Sequence, residues 1–188
     1  LTGFDTAKAG TITVTGAGKV VLNDLAGVVK TLNAGANTGG VTATGLAANL
    51  QEVTGGAGKD SITLGGALAD KGFVKLGAGN DKLDIVTFAV NKGAVIELGD
   101  GDDTLVGTGA VSKDAVVDGG AGKDTLAAGL VNAVNVGAFA NFENLDLAGL
   151  SVAGGLDADL FSAKNTIEKL ILSGNAGGTN AIINNVTA

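Results

Sequence analysis

The sequence lacks several of the residue types from which catalytic sites are built. It contains no histidine, cysteine, proline, methionine, tryptophan or tyrosine, and its 12 basic residues are all lysines. Without cysteine it can form neither disulfides nor a thiolate metal site, and without histidine it can form neither a zinc protease centre nor a Ser-His-Asp triad. The absence of arginine and tyrosine also argues against a groove that processes polyuronates. We therefore expect no catalytic residues and no enzyme activity.

Positive charge and long hydrophobic runs are scarce as well. The chain of 188 residues carries 19 acidic residues against 12 lysines, which gives a net charge of −7. A negative chain repels the phosphates of nucleic acids and anionic membrane surfaces. No apolar run approaches the ~20 residues of a membrane span, and the first residues lack the basic and apolar pattern of a signal peptide. We therefore expect neither nucleic-acid binding nor membrane insertion.

Glycine and small apolar residues are abundant. Glycine accounts for 33 of the 188 residues and hydrophobic residues for 45%, with 6 phenylalanines as the only aromatic residues. This hydrophobic content is too high for a disordered chain, although a core of alanine, valine, leucine and isoleucine must be thin. Glycines placed between short apolar runs indicate turns between strands. The composition is typical of a solenoid rather than of a bulky globular core.

One motif of eight residues is written four times. The copies are GGAGKDSI (55–62), LGAGNDKL (76–83), LGDGDDTL (98–105) and GGAGKDTL (119–126). Each has a leucine or isoleucine at the eighth place and an aspartate at the sixth; these aspartates, Asp60, Asp81, Asp103 and Asp124, are 21, 22 and 21 residues apart. The second and fourth places hold Gly56, Gly58, Gly77, Gly79, Gly99, Gly101, Gly120 and Gly122. Such even spacing predicts one loop per structural turn, with the loops stacked in register.

On the N-terminal side the period continues without the aspartate. TGAGKVVL (15–22) keeps the two inner glycines but has Val20 in the aspartate's place, and NAGANT (33–38) has Asn37 in that place. An asparagine offers a carbonyl oxygen but no charge. We therefore assign residues 1–54 to turns that do not bind metal.

On the C-terminal side the period also continues. NFENLDLAGL (141–150) and TIEKLILSGN (166–175) share an apolar-Glu-polar-Leu pattern 25 residues apart. We expect residues 128–188 to form further metal-free turns, held by apolar burial alone. The metal-binding turns are then residues 55–127.

The alternation of short strand candidates with loops indicates the fold class. A turn of 21 to 22 residues fits two strands of four or five residues and two loops, with the motif at one edge and a plain loop at the other. Helix signals are poor. The sequence therefore predicts an all-β fold, a parallel β-solenoid with two sheets and about eight turns of 21–25 residues, in a single domain over residues 1–188.

The motif has the chemistry of a calcium site. A G-x-G-x-D loop turns tightly, since glycine accepts positive φ, and its carbonyls combine with the aspartate into the oxygen-only ligand set that Ca²⁺ prefers. One loop has too few ligands, but two loops ~4.8 Å apart have enough. We expect about three Ca²⁺ ions, between Asp60 and Asp81, between Asp81 and Asp103, and between Asp103 and Asp124. Asp102, in a variable place of the third loop, is either a further ligand or a solvated residue.

The residues alone leave two interpretations of the loops open. Glycine-aspartate turns are common in tight loops, and a single copy would need no metal. Four evenly spaced copies with a matching apolar residue favour metal binding instead. Stacked carboxylates repel one another without cations, so we expect the order of residues 55–126 to be coupled to calcium.

At these residues the sequence resembles the RTX repeats, whose nonapeptide G-G-x-G-x-D-x-U-x is a Ca²⁺-binding repeat of β-roll and β-helix proteins. The usual pattern has tandem nonapeptides and two loops per turn, whereas this chain has one, which restricts calcium to one edge. The flanking FENLDLAG and IEKLILSG segments resemble those of surface-layer (S-layer) proteins and large adhesins of Gram-negative bacteria. The composition, which lacks cysteine and histidine and is rich in alanine, glycine, threonine and valine, is similar to theirs as well.

The resemblance implies a structural module of a secreted, extracellular S-layer protein, exported by type I secretion and folded by calcium outside the cell. It implies self-association in a surface lattice, with cell-surface polysaccharide a candidate partner of other parts of the parent protein. The alternative is an RTX accessory module of a secreted adhesin or enzyme. The segment AIINNVTA (181–188) does not resemble a type I signal, so we expect an internal fragment.

A third interpretation, a face that binds ice or glycan, ranks below these. Such a face needs a regular Thr-x-Thr ladder or an aromatic stripe. The Thr-x-Thr pattern of residues 11–15 recurs only at Thr42 and Thr44.

Overall fold

The computed structural model describes residues 10–23, 25, 29–148, 156–157, 161–171 and 183–184. Its strands are β1 (Thr11–Gly16), β2 (Val20–Leu22), β3 (Thr31–Asn37), β4 (Val41–Leu46), β5 (Leu50–Thr54), β6 (Ser61–Leu64), β7 (Leu68–Ala78), β8 (Lys82–Asp84), β9 (Val95–Asp100), β10 (Thr104–Val106), β11 (Val116–Ala121), β12 (Thr125–Ala127), β13 (Phe139–Ala140), β14 (Asn144–Asp146), β15 (Leu156–Asp157), β16 (Lys169–Ile171) and β17 (Ile183–Asn184). Two short 3-10 helices, Ala128–Leu130 and Val136–Ala138, lie between β12 and β13. Among these residues there is no helix with the length and hydrophobicity of a membrane span.

The chain visits two parallel sheets alternately. Sheet A has 7 strands, the odd-numbered ones from β1 to β13, and sheet B has 8 strands, the even-numbered ones from β2 to β16. One strand of each sheet makes one turn, and β15 pairs separately with β17. The predicted all-β parallel β-solenoid is confirmed, with about seven turns in the described residues rather than eight.

The core consists of stacks of apolar side chains that run along the solenoid axis. In sheet B the stack is made by the residues at the motif's eighth place, which are at most 1% exposed: Ile62, Leu83, Leu105 and Leu126. In sheet A the corresponding stack is fully buried: Val53, Val74, Ile96 and Val117. Burying one such side chain stabilises the folded state by about 1.5–3 kcal/mol. Alternation along short strands therefore sets the register that aligns the loops.

The edge opposite the motif contains a third short ladder. Leu68, Val90 and Val111 are joined by parallel bridges, and all three are buried. The N–H of Leu68 donates to the carbonyl of Ala89, and that of Val90 to the carbonyl of Ala110, both at 2.9 Å. These isolated bridges add to the two predicted sheets, which are both present. The loops at this edge are longer than the motif loops, so they have room for an extra extended segment.

The C-terminal turns have a bulkier core. Phe139, Phe142 and Phe161 are at most 1% exposed. The predicted 25-residue repeat is confirmed here, because Leu145 lies opposite Leu170 in the pairing of β14 with β16. The predicted turns at residues 1–9 and beyond Ile171, apart from β17, lie outside the described residues.

Candidate metal centre

The four motif loops lie together at the edge where strands of sheet A pass into strands of sheet B. Gly77 pairs with Gly99, and Gly99 with Gly120, at the ends of β7, β9 and β11. Lys82 pairs with Thr104 at the starts of β8 and β10. Because the register is fixed on both sides of each loop, the loops stack directly over one another, as the sequence predicts.

The four aspartates form one buried column, which we call the aspartate column: Asp60, Asp81, Asp103 and Asp124, each at most 2% exposed. Their carboxylates link successive turns. The N–H of Asp60 donates to Oδ1 of Asp81 and that of Asp81 to Oδ1 of Asp103, both at 2.7 Å. The N–H of Asp103 donates to Oδ1 of Asp124 at 2.8 Å. Each aspartate thus uses one oxygen to hold the turn before it.

The second oxygen of most column members has no partner. Oδ2 of Asp81, Asp103 and Asp124 is buried without a hydrogen bond. Asp60 differs, since its Oδ2 accepts the N–H of Gly56 at 3.0 Å. An unpaired buried polar atom costs roughly 1–3 kcal/mol, and more if it is charged. Three such atoms in one line are unfavourable unless the acids are protonated or a cation lies beside them.

Burial raises the pKa of every aspartate in the column. Loss of hydration is the largest cause, and it raises the pKa of Asp81 and of Asp124 to about 7. Neighbouring carboxylates add to the effect: those of Asp60 and Asp103 act on Asp81. Donated N–H groups oppose it, but they do not offset the loss of water. The column is therefore a place where negative charge is strongly disfavoured unless a cation is present.

The motif glycines are required by space as well as by conformation. Six of the eight have φ between 101° and 141°, as expected: Gly77, Gly79, Gly99, Gly101, Gly120 and Gly122. The expectation of positive φ is wrong for Gly56 and Gly58. There the reason is contact, because a Cβ on Gly56 would fall on the carbonyl oxygen of Asn37 and one on Gly58 would lie 2.5 Å from the nitrogen of Gly40. Successive loop backbones pack too closely for any side chain.

Asn37 occupies the place of the second glycine, not that of the aspartate. It lies opposite Gly16 in the pairing of β1 with β3, where a register shift adds one residue to β3. That extra residue is why the sequence-based placement is wrong. The side chain of Asn37 is fully hydrogen-bonded: Nδ2 donates to the carbonyls of Gly16 and Gly18 at 2.9 and 3.0 Å, and Oδ1 accepts the N–H groups of Gly39 and Gly40 at 3.1 and 2.8 Å.

Val41 occupies the aspartate's place in that turn. It precedes Thr42, which pairs with Ser61, and its N–H donates to Oδ1 of Asp60 at 2.6 Å. Val20 pairs with Val41, so the aspartate's place is apolar in both of these N-terminal turns. Their loops hold no carboxylate to bind a cation.

Glu143 continues the aspartate column by one turn. Its Oε2 accepts the N–H of Asp124 at 2.8 Å, as each aspartate accepts from the one before it. The expectation that this turn is held by apolar burial alone is therefore wrong. The signal was present in the sequence, because the E-x-L of residues 143–145 matches the D-x-L of residues 124–126. It was missed because a shorter loop reduces the spacing to 19 residues.

Asp102 lies outside the column, on the exposed surface of its loop. Its Oδ1 accepts the N–H of Lys123 at 3.0 Å, and its own N–H donates to Oδ1 of Asn80 at 3.3 Å. It links the outer sides of three loops. In this position Asp102 contributes negative charge near Asp103 and Asp124, whose pKa values it raises further.

The donor set determines which group the column can hold. Within the described ranges, no cluster of three or more histidine, cysteine, aspartate or glutamate side chains converges on a point. A bound ion would therefore be held by carboxylates of the column together with backbone carbonyls of the glycine loops. The unpartnered oxygens and the loops without side chains fit a hard, oxygen-preferring cation.

Comparisons with protein-family models, with curated proteins and with solved structures return no match to this chain.

Proposed function

We propose that the chain is a structural calcium-binding β-solenoid module of the RTX type. The observation that carries the proposal is the line of three buried, unpartnered oxygens on Asp81, Asp103 and Asp124. In a fold held only by protein contacts, each such atom lowers the free energy of unfolding and gives nothing in return. Cations bound beside these oxygens would turn the most unfavourable feature of the edge into a link between turns.

The carboxylates and the glycines of the motif have different roles in the proposed binding. The column carboxylates supply charge and one or two oxygens each, while the loop glycines allow carbonyls and carboxylates to approach without obstruction. Calcium, when bound, supplies positive charge that neutralises the stacked carboxylates. Six to eight oxygen ligands at about 2.3–2.6 Å suit Ca²⁺, whereas Mg²⁺ demands a smaller and stricter octahedron and Zn²⁺ favours nitrogen and sulfur.

The biological role follows from calcium-coupled order. A module that is loose at low calcium and rigid at high calcium suits a protein that crosses a secretion channel before it folds outside the cell. We propose an extracellular S-layer protein as the parent, in which calcium drives folding, rigidity and self-association in a lattice. The RTX-like loops and the solenoid fold support this role. The module itself carries no histidine or cysteine and is proposed to have no catalytic activity.

An accessory module of a secreted adhesin or enzyme is the second candidate. It rests on the same column, because a calcium-stiffened solenoid can equally serve as a spacer or as a folding aid. The two differ in whether the module's parent assembles. Electron microscopy of the full-length parent with calcium should show two-dimensional arrays for an S-layer protein and dispersed particles for an accessory module.

A calcium titration tests the proposed function. The far-UV circular dichroism spectrum and the melting temperature are followed from excess chelator to millimolar Ca²⁺, with Mg²⁺ at the same ionic strength as the control. Each ion present at 100 times its Kd should stabilise the folded state by about 2.7 kcal/mol. The double variant Asp81→Ala, Asp103→Ala should lose most of this gain. A wild-type melting temperature that calcium leaves unchanged would contradict the proposal.

A further inference from the structure

The C-terminal end of the aspartate column has a carboxylate that the motif does not contain. Asn144 lies opposite Thr125, so Glu143 takes the aspartate's place in the next turn. The half-buried Glu143 binds the N–H of Asp124 at the same distance, 2.8 Å, at which Asp124 binds the N–H of Asp103. Asp124 is therefore an interior member of a longer column, with a carboxylate on each side.

Asp124 has an unpartnered oxygen near the turn that carries Glu143. Its side chain is 0% exposed, and its Oδ1 is already engaged with the preceding turn. A Cβ built on Gly119 would lie 2.9 Å from Oδ2 of Asp124 and would also fall on the carbonyl oxygen of Asn141 in the following turn. Oδ2 of Asp124 thus lies beside Gly119, where the carbonyl of Asn141 from the following turn also comes close.

The backbone N–H that could satisfy Oδ2 of Asp124 donates to a different acceptor. In the first motif loop, the N–H of Gly56 donates to Oδ2 of Asp60. In the last loop the equivalent N–H, that of Gly120, donates instead to Oδ1 of Asp118 at 3.0 Å. Two further acceptors lie near Asp124: the carboxylate of Glu143, which accepts the N–H of Asp124, and the carbonyl of Asn141, which lies beside Gly119. A bound cation would satisfy such a set, and no donor of the described residues reaches Oδ2 of Asp124.

We propose that Asp124, Glu143 and the carbonyl of Asn141 bind a Ca²⁺ ion at the C-terminal end of the column, beyond the sites between motif loops. This proposal rests on the calcium function proposed above. Three protein ligand groups leave coordination positions for water, which calcium accepts within its six to eight ligands. The ion joins the last motif turn to the turns that follow it, so that the order imposed by calcium extends past residue 127.

Counting bound ions tests this site. The full chain is dialysed to equilibrium at saturating Ca²⁺, and calcium per chain is measured by mass spectrometry. Glu143→Gln keeps an oxygen that can accept the N–H of Asp124 but removes the charge, so it should bind one ion fewer than the wild type. Glu168→Gln is the matched control. Glu168 takes the same place one turn later, but it is exposed and paired with Lys123, and its variant should bind the wild-type number.

The outcomes separate the two proposals. A wild-type chain that binds no calcium overturns the proposed function and this site together. A wild-type chain that binds calcium, with an unchanged count in Glu143→Gln, overturns the site alone, and so does an equal loss in Glu168→Gln. If Glu143→Gln does not fold, Glu143→Asp keeps the charge on a shorter side chain. It should then weaken the binding of one ion by about tenfold, and an unchanged affinity contradicts the proposal.

Discussion

Asp81 and Asp103 lie one above the other on successive turns, and the N–H of Asp81 donates to Oδ1 of Asp103 at 2.7 Å. The same carboxylate keeps its second oxygen buried and unpartnered. One side chain is thus both a structural link, through Oδ1, and an unsatisfied acceptor, through Oδ2. Stability without metal and affinity for metal are therefore opposed at a single residue.

Replacing Asp103 by asparagine should separate these two roles. Asp103→Asn keeps an oxygen that can accept the N–H of Asp81 but removes a buried charge without a partner. We expect the metal-free variant to be more stable than the metal-free wild type by roughly 1–3 kcal/mol, and its stabilisation by calcium to be smaller. Urea unfolding with chelator and with calcium measures both effects. A metal-free variant less stable than the wild type would show that the charge of Asp103 does not destabilise the metal-free fold.

The metal-free protein should lose stability as pH rises. Folded Asp81 and Asp124 have pKa values of about 7, against an ordinary value of 3.8. Between these values the folded state binds more protons than the unfolded state, so the free energy of unfolding falls as pH rises from about 4 to about 7. Melting temperatures in chelator, measured across this range, test the direction. The variant Asp81→Asn, Asp124→Asn is the control, and its melting temperature should depend less on pH.

The loop glycines should be intolerant of alanine where the turns are stacked. Gly101 has φ of 136°, and a Cβ there would fall on the carbonyl oxygen of Gly79. Gly101→Ala should cost about 2–5 kcal/mol, from the strained φ and the overlap together. Gly18 has the same place in the loop of residues 15–22, and a Cβ built there has nothing within 4 Å. Gly18→Ala should change stability by less than about 1 kcal/mol in the same urea experiment.

Asn37 should stabilise the N-terminal turns independently of calcium. Its buried side chain makes four hydrogen bonds to loop backbone. Asn37→Ala leaves buried groups without partners and should cost roughly 2–4 kcal/mol, while the number of bound calcium ions stays the same. Asn33→Ala, at an exposed position with one local bond, is the control and should have little effect. A lower calcium count in Asn37→Ala would place Asn37 in the metal site after all.

The fold and the core of the site were predictable because they rest on local repetition. Four copies of one motif, each with its aspartate and its apolar eighth residue, require equal turns, and parallel register then brings Asp60, Asp81, Asp103 and Asp124 together. Asn37 and Glu143 were misread because counting residues assumes that every turn has the same length. An extra residue in β3 and a shortened loop before β14 change that count. A search for a period of 21 or 22 residues detects neither change.

The repeated motif specifies which residues meet, since the 21- and 22-residue period and the alternation of buried side chains suffice to align the column. It does not specify which oxygen of each aspartate remains free. That depends on competing donors from other parts of the turn, such as the N–H of Gly56, which reaches Asp60, and that of Gly120, which goes to Asp118. Hydrogen bonds form at distances near 3 Å, so small differences in backbone path decide their partners, and those differences exist only in the folded chain.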